Sequence, residues 1–222
     1  MNPINHHPDE ATLLSYAAGA LSQPFVVLID CHLQQCPQCH EKIFKAEAIA
    51  GEFIEHSPPI EASNCEALRD SFFATLNSEP APQPLAPSGS SEHQLPAEVA
   101  VVLSGRDQKL PWRLIVPGMH SITLNSSDLH SSGSSLKLLR IAPGRNLPLH
   151  SHRGSELTMV LRGAFQDELG CFRAGDVADL DHEIEHQPIT IGNEACTCLI
   201  AVDAPLEFKS LVPNLLQPFI DF

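Results

Sequence analysis

The chain has 222 residues, 43% apolar and 18% charged, with a net charge of −14. That balance describes a folded globular chain of one large or two smaller domains, and no apolar run reaches the roughly 20 residues of a membrane helix. The negative charge argues against direct contact with nucleic acid, which needs clustered Lys and Arg, and favours a basic protein partner. The first ten residues hold no Lys or Arg and no apolar core, so no secretory signal is expected there and the cytoplasm is the expected compartment. In a reducing compartment, the seven cysteines are expected as metal ligands or buried thiols rather than disulfides.

Residues 1–78 read as a helical domain. Leu13, Leu14, Tyr16, Ala17 and Leu21 recur at helical spacing over 9–20, with Gly19 near the end. Ser22 is placed to cap a second helix running to Leu33. A third helix starts at Pro37, where proline is tolerated, and runs past Phe53 until Pro58-Pro59 stops it. Ser63 and Glu66 predict a capping box for a fourth helix through Leu68, Phe72, Phe73 and Leu76. That apolar stripe is expected either in a core or against a partner. Residues 79–96, rich in Pro, Ser and Gly, read as a linker. From 97 to 222, short β-rich runs at 112–116, 121–124, 136–141, 156–161 and 195–202 alternate with turn signals, which predicts a sandwich or barrel. The fold class expected is therefore α + β in two domains. The helical part is the more acidic for its size: 11 acidic against 3 basic residues over 1–80, and 15 against 10 over 97–222.

The first chemical motif is His32-x3-Cys36-x2-Cys39. His32 and Cys36 lie one helical turn apart, and Cys36 and Cys39 make a tight step at the next helix start. Zinc takes four nitrogen or sulfur donors in a closed tetrahedron, so a fourth is needed, and the residues alone allow either His6 or His7. Cys31 faces another side of the helix and is expected in the core or at the surface rather than as a ligand. His40 is expected in solvent.

These residues, with Leu-Ser-Tyr-Ala-Ala-Gly-Ala-Leu-Ser at 14–22, resemble the zinc-binding anti-sigma family. The resemblance selects His7, which lies 25 residues before the helical histidine. It implies a zinc-bound helical domain that wraps an extracytoplasmic-function (ECF) sigma factor in a 1:1 complex and blocks its surfaces for polymerase and promoter. An acidic domain suits a basic sigma surface, because long-range attraction speeds association.

The second motif is Gly144-x5-His150-x-His152-x3-Glu156-x6-Gly163. Two histidines two apart on a strand point to one face, and Glu156 keeps that parity. Imidazoles and a carboxylate turned inward make a divalent-metal site, and either His182 or His186 is placed to complete it. The pattern resembles the first cupin motif, while the segment after Gly170 departs from the general second motif. In ChrR-type cupins the last histidine follows the glutamate by 30 residues and precedes Gln-Pro, which selects His186. The donor set accepts zinc, iron, manganese or nickel, and the resemblance favours zinc. It further implies a jelly-roll barrel that senses a stress signal, singlet oxygen or a related oxidant, and releases the sigma factor.

A metal-dependent cupin enzyme with a helical accessory module is the competing expectation. Arg140, Arg145 and Arg162 are the residues placed to hold an acidic substrate. Cys196 and Cys198 share one strand face, as buried small apolar residues or as a redox pair.

Overall fold

The computed structural model describes residues 3–58, 64–78, 96–124, 133–204 and 206–208. Residue 63 of the expected capping box and nearly all of the expected linker lie outside the described residues. Three helices come first: α1 (Glu10–Ala17), α2 (Gln23–Leu33) and α3 (Pro37–Glu55). Asp9 caps α1, its carboxylate accepting the Thr12 amide at 2.6 Å. The helix stops at Ala17, short of the expected Ala20, and Gly19 takes a left-handed turn at φ +66. Ser22 precedes α2 without a side-chain cap, so Pro24 in the first turn sets that start instead. Cys36 caps α3 through its sulfur, which accepts the Cys39 amide at 3.4 Å.

A fourth helix, α4 (Cys65–Ser78), follows, and then α5 (Ala97–Leu103). The reading of 97–222 as β throughout missed α5: its three valines are strand formers, and tertiary packing of Val99 and Val102 overrides them.

Among the described residues eleven strands follow: β1 (Arg113–Val116), β2 (Met119–Thr123), β3 (Ser135–Ile141), β4 (His150–His152), β5 (Glu156–Arg162), β6 (Ala164–Asp167), β7 (Gly170–Arg173), β8 (Val177–Leu180), β9 (Ile189–Thr190), β10 (Cys196–Val202) and β11 (Leu206–Phe208). Six make one antiparallel sheet in the order β1-β2-β3-β10-β5-β8, with smaller sheets β7-β6-β9 and β11-β4. This is the expected jelly-roll layering of sheets.

The large sheet is buried on both faces, which is why β3, β5 and β10 read as nearly unbroken apolar runs. Strand alternation sends Leu136, Leu138, Leu157, Met159 and Leu199 to one face, where they share a core with Leu28 and Ile29 of α2 and Val99 and Val102 of α5. The other face sends Val160, Cys196, Cys198 and Ile200 inward to Phe165, Phe172 and Leu180. Each fully buried Leu or Ile stabilises by about 1.5–3 kcal/mol. α2 and α5 are thus a cover on the barrel sheet, and the donor at the end of α2 meets the barrel edge.

Candidate metal centres

The first cluster forms where the N-terminal segment, the end of α2 and the start of α3 converge. Nδ1 of His7 lies 3.3 Å from Cys36 Sγ and 3.4 Å from Cys39 Sγ, and Nε2 of His32 lies 3.4 Å from Cys39 Sγ. Those spacings approach the edges of a zinc tetrahedron, roughly 3.5 Å between nitrogen and sulfur for bonds of about 2.0 and 2.3 Å. His32, Cys36 and Cys39 are buried and His7 is half-buried. Burial lowers His32 to about 4, although its hydrogen bond to Gly175 opposes the shift, so the ring is neutral at pH 7. Its Nδ1–H donates to the Gly175 carbonyl at 3.0 Å, which leaves the Nε2 lone pair facing the sulfurs. Burial and the neighbouring Cys36 push the Cys39 thiol up to about 12. A divalent cation at the centre offsets that cost by holding both sulfurs as thiolates. The donor types, spacing and burial fit a closed metal site.

His6 goes elsewhere. Its ring packs on Phe172 at 4.3 Å between centroids, and its Nδ1 lies 3.6 Å from Asp176. The choice that the residues alone left open is made by backbone direction: successive side chains in this extended segment diverge, and the one at position 7 meets the sulfurs. Cys31 is buried in the apolar core, its thiol raised to about 12 by burial, and His40 is exposed.

The second cluster lies inside the barrel. Nε2 of His186 lies 3.0 Å from Nε2 of His150 and 3.3 Å from Nε2 of His152. All three rings are buried. An isolated bridge pairs His150 with His186, each amide donating to the other's carbonyl. That bridge is what brings position 186, and not 182, to the site. Two of the rings are oriented from behind. His150 Nδ1–H donates to the Pro148 carbonyl at 2.9 Å, and His186 Nδ1 meets the buried Asp167 carboxylate at 2.9 Å. Such partners fix the tautomers of His150 and His186 and turn their Nε2 atoms toward that of His152. Burial, then the neighbouring histidine His186, lowers His150 and His152 to about 4. Three imidazoles at this spacing fit a divalent metal.

Glu156 stands beside this group without joining the cluster of nitrogens. Its Oε2 lies 3.3 Å from Nδ1 of His152, and its Oε1 accepts from the Thr158 hydroxyl at 2.8 Å. Asp167, Pro148 and Gly175 are functional neighbours that the sequence reading did not single out for this role. Only the turn around Gly175 carried a signal, as Ala174-Gly175-Asp176.

Residues 100–204 match the family described as the ChrR cupin-like domain. Over 217 residues the chain is 37% identical to the anti-sigma-E factor ChrR of Cereibacter sphaeroides, covering 97% of this chain and 98% of that protein. The chain belongs to the ChrR family. A crystal structure of Rhodobacter sphaeroides SigE in complex with the anti-sigma ChrR matches it with a TM-score of 0.68 and 34% identity, over 90% of this chain and 100% of the matched one. The ChrR likeness therefore spans helices and barrel together.

Two of the arginines weighed for substrate binding, and the cysteine pair weighed for redox sensing, have partners inside this ChrR-family chain. Arg140 and Arg162 both pair with the buried Asp107, at 3.4 and 3.3 Å. Cys196 and Cys198 are buried with their sulfurs 3.6 Å apart, and the bond between them, with burial, pushes the Cys198 thiol well above its ordinary value. No described helix is long and apolar enough to cross a membrane.

Proposed function

We propose that this chain is a cytoplasmic anti-sigma factor that holds an ECF sigma factor in a 1:1 complex. The observation that carries the reading is a likeness to the named anti-sigma factor ChrR across 97% of the chain. The exposed face of the helices supports it. Every described side chain of α4 from Cys65 to Thr75 is exposed, among them Leu68, Phe72 and Phe73. From Phe44 onward α3 likewise exposes Phe44, Ile49, Phe53 and Ile54. A helix of 14 residues is marginal alone in water, and an apolar face of this size on a protein marks an interaction surface. The acidic balance of residues 1–80 suits a basic sigma surface.

The assignment divides the chain into a helical anti-sigma domain at 1–78, a linker at 79–96 and a cupin domain at 97–222. His7, His32, Cys36 and Cys39 hold a structural zinc, whose closed Cys2His2 set fastens the N-terminal segment to α2 and α3. His150, His152 and His186 hold the cupin metal, with Glu156 as the carboxylate donor. Zinc is favoured there, and iron, manganese or nickel suit the same donors. The cupin receives the stress signal, singlet oxygen or a related oxidant, and a change in its packing loosens the grip on sigma.

An enzyme reading gains nothing from the geometry. A cleft of about 560 Å³ lined by Ile4, Gln35, Arg173 and Glu194 contains none of the eight metal donors. The test is transcription in vitro from a promoter served by the ECF sigma factor. Added chain is expected to stop it at a 1:1 ratio, and undiminished transcription at tenfold excess refutes the proposal.

A further inference from the structure

The two donor clusters meet one segment, the β7–β8 connection, which passes from the small sheet to the large one. At its turn, the Gly175 carbonyl accepts His32 Nδ1–H at 3.0 Å. The adjoining Asp176 carboxylate is 1% exposed. Its Oδ1 accepts the amides of Asn5 at 2.7 Å and His6 at 3.1 Å, and its Oδ2 accepts the Arg173 amide at 2.9 Å. The Val177 amide in turn donates to the His6 carbonyl at 3.1 Å. Residues 5 and 6 are therefore pinned on both backbone edges immediately before His7. The turn is also closely fitted: Gly175 has φ +98, and a Cβ there meets Ile4 Cγ1 at 2.9 Å. Two of the four helical donors, His7 and His32, are thus aimed by barrel atoms.

The outer ends of the segment reach the cupin set. Asp167, which holds His186 through Oδ2, accepts the Gly170 amide at 3.2 Å through Oδ1. Gly170 opens β7 and lies against His6, whose Nε2 comes within 2.9 Å of a Cβ built there. β8 ends at Leu180, directly opposite Glu156 on β5. A displacement of this segment against the helices would move atoms behind both clusters at once.

We propose that the β7–β8 segment couples the two metal centres, with Asp176 as the residue that positions the N-terminal segment for metal capture. The proposal rests on the reading that both clusters bind a divalent metal. Coupling is reciprocal: metal in the barrel tightens the helical site, and metal in the helical site tightens the barrel by the same factor, typically 5–150-fold. Asp176 touches no donor atom directly; it acts through the backbone ahead of His7, and its neighbour Gly175 acts on the ring of His32.

Cobalt(II) titration of the full chain tests this site by site. Thiolate-to-cobalt charge transfer in the near ultraviolet reports only Cys36 and Cys39, since the cupin donors include no sulfur. Substituting His150→Ala with His152→Ala empties the barrel, and is expected to weaken cobalt binding at the helical site at least fivefold. Asp176→Ala is expected to weaken it by a similar factor and to remove any further effect of emptying the barrel. Asp176→Asn keeps one acceptor oxygen and is expected to recover part of the loss. It carries the comparison if the alanine variant does not fold by circular dichroism, as His186→Ala does for the barrel pair. Helical-site affinity unchanged by Asp176 substitution, or by emptying the barrel, overturns the coupling while leaving two independent sites. Absence of the charge-transfer band in the unaltered chain overturns the metal reading and the coupling with it.

Discussion

His32 donates its Nδ1–H to the carbonyl of Gly175 across 3.0 Å, so a donor of the helical cluster is held by a turn of the barrel. The apolar packing agrees with that bond. Leu28 and Ile29 of α2 are fully buried in the same core as Leu138, Leu157 and Leu199. Helices α1–α3 and the sheet are expected to unfold together. Leu28→Ala leaves a cavity in this shared core and is expected to cost about 2–5 kcal/mol, in one transition reported alike by helix and sheet signals. Two separated transitions in urea, with only the helical one shifted, contradict the shared core.

Removing one sulfur separates the two metal centres. Cys39→Ser is expected to lower the metal content of the purified chain from two ions to one. The histidine set does not share that sulfur and keeps its ion. Loss of both ions, or of neither, in elemental analysis contradicts two distinct centres.

Asp167 has its own expected effect. Its carboxylate holds His186 at 2.9 Å, and partners of this kind typically contribute 10–100-fold in metal affinity. Asp167→Asn is expected to weaken the barrel site by such a factor with little change in global stability. Competition with a chromogenic chelator measures it, and an unaltered affinity removes Asp167 from the site.

The helix frame and both donor motifs were legible in the sequence because their signals are local. Leu13 and Tyr16 recur at helical spacing, and His32-x3-Cys36-x2-Cys39 places three donors by chain geometry alone. Position 7 against position 6 was not legible from composition, since it depends on Asp176, 170 residues away, fixing the preceding backbone. Asp167 was equally hidden, because its place behind His186 follows from the pairing of β6 with its neighbours. The unbroken apolar runs of β5 and β10 do imply burial on two faces, but nothing local says that α2 and α5 cover the second one. α5 itself was obscured by Val99, Val101 and Val102, which favour strand until packing decides.

The metal-free chain is expected to lose stability in mild acid. Burial holds His32, His150 and His152 at about 4, below the ordinary 6.5. Between those values the unfolded chain binds protons that the folded chain refuses, so stability falls as pH drops from about 6.5 to about 4. Each ring contributes up to ~3 kcal/mol. Urea midpoints of the chelated chain at pH 7.5, 5.5 and 4.5 measure the slope, and a flat profile contradicts the buried neutral rings.

The central claim is that the helical domain grips a sigma subunit through its exposed apolar face. Gel filtration of the full chain with an ECF sigma factor, compared with Phe72→Glu and Phe53→Glu, tests it most directly. These side chains are 60% and 72% exposed, so the variants are expected to melt at the parent temperature. The account predicts a 1:1 complex for the parent chain and at least tenfold weaker association for the variants. A parent chain that elutes alone, or variants that bind as tightly as the parent, contradicts it.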